Sequence, residues 1–365
     1  MKRIGNLYDQ ICSVENLQAA DREARKGKTG RADIVAFDKK HGENLHAIHQ
    51  QLINRCYKLS PYKIFSVFEP KERKVYWLCY ADLVVQHAII LVIGPILTAM
   101  FTRDTYSCIK GRGIHNASFA LRDILLNTPV TQYCLKLDIR QFYPSVDHHI
   151  LKAMLCRKFK DADLLDLLDE IIDSAPGIPI GNYLSIYFGN FYLCYFDHHV
   201  KEKLGVKNYL RYMDDIVILA DNKPYLHRIL AEIRSYFWDE LKLTIKGNYQ
   251  VFAVADRGID FVGYVHFHDH VLLRKSIKKR FARMLIKNPN PQSLASYMGW
   301  LKHCDSKNLI KKLLNEKIQR TGNAITLVGR QNRNKGHPKS TGSCAGLPDR
   351  PKQAGHRQAL PYPAN

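Results

Sequence analysis

This sequence is short of paired cysteines, acidic residues and long apolar runs, and each shortage closes off a class of protein. Its nine cysteines (12, 56, 79, 108, 134, 156, 194, 304 and 344) are scattered, with no Cys-x-x-Cys pair and no histidines at finger spacing. Zinc fingers are excluded, and most thiols are expected to be reduced core residues. The neighbouring pairs His148-His149 and His198-His199 point in different directions on a helix, so they do not chelate. The longest apolar run, Ala88 to Met100, contains Gly94-Pro95 and falls short of the roughly 20 residues that cross a bilayer. No membrane partner is expected. Met1 to Cys12 lacks the apolar centre of a signal peptide, so a cytoplasmic protein is expected. Asp and Glu number 34 against 55 Lys and Arg, a formal charge of +21. That excess is more than solubility needs and favours a polyanionic partner, nucleic acid ahead of anionic membrane.

Hydrophobic residues make up 46% of the 365 positions, as in a folded chain long enough to bury a core and form more than one domain. Asn6 to Asn54 reads as a basic helical lead-in closed by an amphipathic helix, Asn44 to Cys56. Strand patterns at Tyr62 to Phe68 and Lys74 to Tyr80 put Glu69 to Arg73 at a hairpin tip, and a long apolar helix follows from Asp82 to Met100. Tyr133 to Ile139 has the pattern of a buried strand. Helices are expected from His149 to Ser174, a break at Pro176-Gly177-Ile178-Pro179, and an aromatic-rich helix from Asn182 to Lys203. Tyr209 to Leu219 reads as a hairpin with Asp214-Asp215 at its turn. A helix from Lys223 to Leu241, strands at Lys242 to Lys246 and Gln250 to Ala255, and a hairpin from Gly258 to Leu273 complete this core. Over residues 271–320, thirteen Lys and Arg face only Asp305 and Glu316, which suits phosphate contact better than a merely solvated face. From Thr321 the chain turns to Gly, Pro, Gln, Asn, Lys and Arg. This reads as a disordered basic tail, either a nonspecific RNA-binding arm or an unselected extension.

The chemistry is concentrated in three acids. Asp138 closes the apolar segment Tyr133 to Leu137, and Asp214-Asp215 interrupts an otherwise apolar hairpin. Charged groups that end buried strands need a cation. Hard carboxylate oxygens suit Mg²⁺, which retains waters and substrate phosphates and so needs few protein ligands. The competing reading makes Asp214-Asp215 a plain turn and Asp138 a helix cap. Order favours the first reading. An Asp after a buried strand, a Gly-containing helix start about forty residues later and an Asp-Asp hairpin form a rarer combination than Tyr-x-Asp-Asp alone.

In that order, Leu137-Asp138-Ile139-Arg140-Gln141-Phe142-Tyr143, Gly177-Ile178-Pro179-Ile180-Gly181-Asn182 and Tyr212-Met213-Asp214-Asp215 resemble the palm motifs of reverse transcriptases. Arg73-Lys74-Val75 with Asp82 to Gln86 resembles the fingers, Leu241 to Lys246 the strand after the catalytic hairpin, and Gly258 to Tyr264 the primer grip. The likeness runs from Asn6 to Lys317 and leaves the tail unmatched. It implies an α+β fold: a right-hand polymerase with fingers, an RRM-like antiparallel palm sheet and a helical thumb. The implied domains are 1–130 (N-terminal extension and fingers), 131–265 (palm, with part of the fingers at 150–180), 266–320 (thumb) and 321–365 (tail).

The same resemblance implies an RNA-directed DNA polymerase, a nucleotidyltransferase using two Mg²⁺ ions with Mn²⁺ as substitute. Its ligands would be Asp138, Asp214, Asp215 and the backbone carbonyl of Ile139. Tyr143 would lie beneath the sugar and exclude a 2′-hydroxyl, or else merely pack. The amides of Gln141 and Phe142 would meet the triphosphate, as would the cations Lys71 and Arg73, for which a solvated turn is the alternative. Ile180 and Gly181 would face the incoming nucleotide. Lys246 would stand near the leaving pyrophosphate as a general acid, or be a solvated strand end. Phe261, Val262, Gly263 and Tyr264 would grip the primer, and Arg274, Lys275, Lys278, Lys279 and Arg280 would follow the nucleic-acid backbone.

Within the family, Asn6 to Ile11, Glu15-Asn16-Leu17, Lys26-Gly27-Lys28, Ile180-Gly181-Asn182-x-x-Ser185, Arg257 to Tyr264 and Leu272 to Ser276 resemble the enzymes of diversity-generating retroelements. These copy a template RNA with errors directed at adenine. Ile186 departs from the Ser-Gln usual in that subgroup. Retroviral enzymes carry Gln where this chain has Ile180, and an aliphatic side chain there forgoes polar contacts that enforce pairing. The implied partners are template RNA, primer and cDNA, dNTPs, and a small basic accessory protein. Antiviral defence or another mobile element is the alternative role, and a non-catalytic nucleic-acid-binding protein is the alternative class.

Overall fold

A computed structural model of the chain describes residues 3–68, 72–287 and 290–313. The chain divides into two compact units between Val262 and Gly263.

The first unit opens with short amphipathic helices: α1 (Tyr8–Cys12), α2 (Val14–Ala24), α3 (Ala32–Asp38) and α4 (His41–Ile53). Ser13 caps α2 by accepting from Asn16 N. All four pack on α5 (Tyr80–Thr98), burying Ile11, Leu17, Ile34 and Leu52. By length and composition α5 would cross a membrane, but 67% of its most apolar window lies inside the fold. It is a core helix. Two of its buried polar residues are engaged there: Asp82 accepts from the Tyr57 hydroxyl at 2.8 Å, and Gln86 Oε1 from Leu184 N at 3.2 Å, while Gln86 Nε2 has no hydrogen-bond partner among the described residues. Between α4 and α5, β1 (Lys63–Phe68) and β2 (Glu72–Trp77) form an antiparallel ribbon, with Lys63 opposite Trp77 and Phe68 opposite Glu72.

The expected palm sheet has five strands in the order β3 (Thr105–Tyr106), β5 (Tyr209–Tyr212), β6 (Asp215–Ala220), β4 (Tyr133–Asp138) and β7 (Gln250–Ala253). It is antiparallel except at its edge, where β3 runs parallel to β5. Alternation assigns its two faces. Leu135, Leu137, Ile216 and Ile218 join the main core with Leu226, Ile229 and Ile233 of α12 (Lys223–Leu241). Cys134, Val217 and Leu219 point the other way, onto Ala117, Leu121 and Leu125 of α6 (Ile114–Leu125). Both faces are covered, which is why these strands read as nearly continuous apolar runs. The short α7 (Phe142–Ser145), then α8 (His148–Lys158), α9 (Ala162–Ile172), α10 (Tyr183–Tyr192) and α11 (Cys194–His198) occupy the stretch between β4 and β5.

Two expectations are corrected here. Lys242 to Lys246 is not a strand: Lys242 takes a left-handed φ of 52° at the end of α12, and only Ile245 forms a bridge, to Ile139. The alternation of Leu243 and Ile245 reflects packing of a connector rather than a ladder. Nor are most cysteines in the core. Of the eight described, Cys12, Cys134 and Cys194 are buried, Cys56, Cys108 and Cys156 are exposed, and all are free thiols.

After β7 the first unit closes with α13 (Val254–Arg257) and β8 (Ile259–Phe261). In the second unit, β9 (Tyr264–His266) pairs antiparallel with β10 (Val271–Leu273) and leads into α14 (Lys275–Lys287) and α15 (Pro291–Leu301). Phe281 and Leu285 bury one side of α14, with the Phe281 ring 4.8 Å from that of Tyr297, while Lys275, Lys278, Lys279 and Arg280 are exposed. The 321–365 tail lies outside the described residues, as do Glu69, Pro70 and Lys71.

Candidate active site

The three acids stand at one end of the sheet because the strand register puts them there. Asp138 is opposite Asp215 in the β4–β6 pair, and Tyr212 is opposite Asp215 in the β5–β6 pair. Opposed residues of an antiparallel pair share a face. Asp138 and Asp215 therefore project together, with Lys136 two positions before Asp138 on the same side. Met213 and Asp214 form the two-residue loop, and Met213 takes a left-handed φ of 54°. Asp214 lies beside Asp138; burial first, then the charge of Asp138, pushes its carboxyl up to about 6.

Two lysines neutralise the other acids. Lys246 Nζ lies 2.5 Å from Asp138 Oδ1, a buried oxygen that it approaches outside hydrogen-bonding geometry. Lys136 Nζ lies 3.3 Å from Asp215 Oδ2 and also donates to the Asp260 carbonyl. The donor chemistry fits a hard divalent cation: oxygen ligands only, a buried carboxylate oxygen without a hydrogen bond, and two acids whose mutual repulsion a cation would relieve. Asp138 and Asp214 are brought together. Asp215 is engaged by Lys136, and among the described residues no three His, Cys, Asp or Glu side chains form a ready metal cluster.

The Ile139 peptide faces this site. Its flanking bonds, Arg140 N to Thr244 O and Lys246 N to Asp138 O, point toward residues 244–246, whereas Ile139 N points to Asp214 O at 3.4 Å. A strand residue's N–H and C=O point to the same side, so the Ile139 carbonyl is on the Asp214 side.

Beyond the strand, Gln141 adopts a left-handed φ of 45° and starts α7, which buries Phe142 and leaves Tyr143 half-buried. The 177–181 loop lies against it, with Ile178 N donating to Tyr143 O at 2.9 Å. Gly177 has no tolerable substitute: φ is +62° and a Cβ would collide with the Tyr143 and Pro144 backbone. Gly181, at φ +121°, is likewise closed in by the Tyr76 backbone, and Tyr76 N donates to Ile180 O at 2.8 Å. The exposed ribbon is thereby tied to the loop carrying Ile180 and Gly181.

A model of the reverse transcriptase (RNA-dependent DNA polymerase) family matches residues 69–266, just over half of the chain. The chain belongs to this family. No curated protein is significantly similar to it. Among solved structures, the telomerase of Candida albicans in complex with a TWJ fragment of telomeric RNA is 11% identical, with a TM-score of 0.49 over 76% of this chain and 58% of that one. The apo telomerase of Candida tropicalis is 14% identical, with a TM-score of 0.47 over 74% and 59%. The chain thus spans less than two thirds of the telomerase chains it matches.

As in the family's general plan, the fold of this reverse transcriptase is α+β with a polymerase palm sheet. Arg73 is exposed on β2, paired with Val67; Lys71 falls outside the described residues. In the primer-grip segment the Phe261 ring is buried in the α6-side cluster, and Val262 takes a left-handed φ of 44°. In the second unit Tyr264 is fully buried, with its hydroxyl donating to Trp300 O at 3.1 Å, and the Trp300 ring occupies the space a Gly263 Cβ would need. Arg274 is partly exposed at the start of α14. Sequence reading missed Lys136 as a site residue. Its signal was a lone cation in an apolar strand, two positions before an acid and therefore on the same face.

Proposed function

We propose that this reverse transcriptase is an active RNA-directed DNA polymerase that extends a primer on an RNA template. The observation that carries the reading is the pairing of the Asp138 and Asp214 carboxyls at the end of β4, with that of Asp214 raised to about 6. Such a pair is costly to a fold and is suited to cation-assisted phosphoryl chemistry. Asp138, Asp214, Asp215 and the Ile139 carbonyl would hold divalent ions, Mg²⁺ in the first instance. When bound, a pair of such ions favours ionisation of the primer 3′-hydroxyl and offsets charge on the departing pyrophosphate. Lys246, beside Asp138, supplies a cation and a proton donor on the phosphate side. The Gln141 and Phe142 amides at the α7 start, and Arg73 on the ribbon, are assigned to the triphosphate. Tyr143, with part of its ring open, is assigned to the sugar. The basic face of α14 is assigned to the nucleic-acid backbone, in line with the +21 charge.

The direct test is extension of a DNA primer on an RNA template by the purified full chain with dNTPs and Mg²⁺. The expected result is full-length cDNA that is lost on chelation; nucleic-acid binding without extension would return the chain to a non-catalytic role.

The finer reading is an error-prone enzyme of a diversity-generating retroelement, working with a small basic accessory protein. It is supported by the subgroup-like segments and by Ile180, which is half-buried with its carbonyl fixed by Tyr76. Ile180→Gln should lower misincorporation opposite template adenine, by about tenfold if one polar contact of roughly 1.4 kcal/mol is restored. Sequencing of cDNA from a defined template measures it, and equal error rates at all four template bases in the wild type would count against the subgroup.

A further inference from the structure

Beneath the Met213–Asp214 loop lies a charged network with no solvent exposure. Arg211 on β5 and Asp197 on α11 are both fully buried. Arg211 Nε and Nη2 reach Asp197 Oδ1 and Oδ2 at 2.7 and 2.6 Å, a bidentate pair. The same carboxylate accepts from the Tyr209 hydroxyl at 2.6 Å and from Thr105 Oγ1 at 2.8 Å. The carboxylate is thus held by four hydrogen bonds, and the remaining guanidinium nitrogen, Nη1, donates to Asn190 Oδ1 at 3.2 Å and to Met213 O at 3.0 Å. Asn190 is itself held by Ser107 O at 2.9 Å.

That last bond bears on chemistry. The Met213 carbonyl belongs to the same planar peptide as Asp214 N, so fixing it fixes the plane from which Asp214 departs. Met213 is left-handed, a conformation that persists in a non-Gly residue only where its surroundings over-determine it. A buried ion pair is a poor device for stability, because an apolar pair of equal volume does as well or better; its value lies in directed geometry. We propose that Arg211, locked by Asp197, is a positioning residue that holds the Met213–Asp214 turn and so sets the Asp214 carboxyl against Asp138.

The proposal rests on the reading of Asp214 as a catalytic carboxylate, and its test separates the two. Arg211→Met alone would strand a buried charge on Asp197. The double variant Asp197→Asn, Arg211→Met keeps volume and neutrality, with the new amide able to serve Tyr209 and Thr105. It is expected to melt within a few degrees of the wild type. Amide hydrogen exchange at Met213 to Asp215 should be at least about tenfold faster, and kcat for single-nucleotide extension about 10–100-fold lower with the dNTP KM within about twofold. Unchanged turn exchange, or an unchanged kcat in an active enzyme, overturns the proposal. If the wild type does not extend primers, the polymerase reading fails and the exchange measurement alone decides the role of Arg211. Should the double variant not fold, Arg211→Lys provides the same exchange readout, since one ammonium cannot keep the bidentate pair and the Met213 bond together.

Discussion

Asp214→Asn is expected to lower primer extension by at least about 1,000-fold, roughly 4 kcal/mol of transition-state stabilisation, without weakening the fold at neutral pH. The two halves of that result have one cause. Burial and Asp138 raise the Asp214 carboxyl from 3.8 to about 6. An acid whose folded pKa is raised contributes most to stability below its unfolded pKa, and that contribution is lost as pH climbs through the folded value. Above pH 6 the metal-free wild type therefore carries the cost of a second, half-buried charge beside Asp138, and the amide does not. In EDTA the variant should melt at or above the wild type at pH 7.5, an advantage that disappears by pH 4. Added Mg²⁺ should raise the wild-type melting temperature by mass action and leave the variant nearly unmoved. A variant retaining a tenth of the activity, or a wild type whose melting ignores Mg²⁺, would remove Asp214 from the catalytic set.

Tyr143→Ala is expected to relax sugar discrimination by about 100-fold, close to 2.7 kcal/mol. The physical basis is bulk. Phe142 takes the core position on α7, which leaves the adjacent ring of Tyr143 only half-buried, on a backbone anchored by Ile178 N and closely covered by Gly177. Truncation removes the wall without moving that backbone. The stability cost should be about 1–2 kcal/mol, since only part of the ring packs, edge-on to Phe142 at 5.5 Å. Tyr143→Phe should discriminate like the wild type, because it keeps the ring. Paired single-turnover extensions with rUTP and dTTP measure the effect; an alanine variant that still rejects rUTP would make Tyr143 a packing residue only.

Much of the site was legible because its signals are local. The largely apolar run Tyr133 to Ile139 marked a buried strand, and the apolar residues flanking Asp214-Asp215 marked a hairpin with acids at its turn. Both assignments follow from residues adjacent in the chain. The same logic misled at Lys242 to Lys246, where Leu243 and Ile245 alternate like a strand but a left-handed Lys242 leaves only one bridge to β4. It also could not say which cysteines were covered, because a thiol in an apolar segment is buried only if a neighbour lies over it. Gly177 and Gly181 were legible as a break, while the backbones that forbid a Cβ there, those of Tyr143, Pro144 and Tyr76, come from distant segments.

The order of strands, helices and acidic strand ends was therefore set by the sequence itself, since each depends on residues a few positions apart. Tertiary structure alone decided that Asp214 meets Asp138 while Asp215 meets Lys136, and that Arg211 finds Asp197. Those pairings depend on sheet register and on the dielectric of a closed core. Neither exists until the strands are side by side.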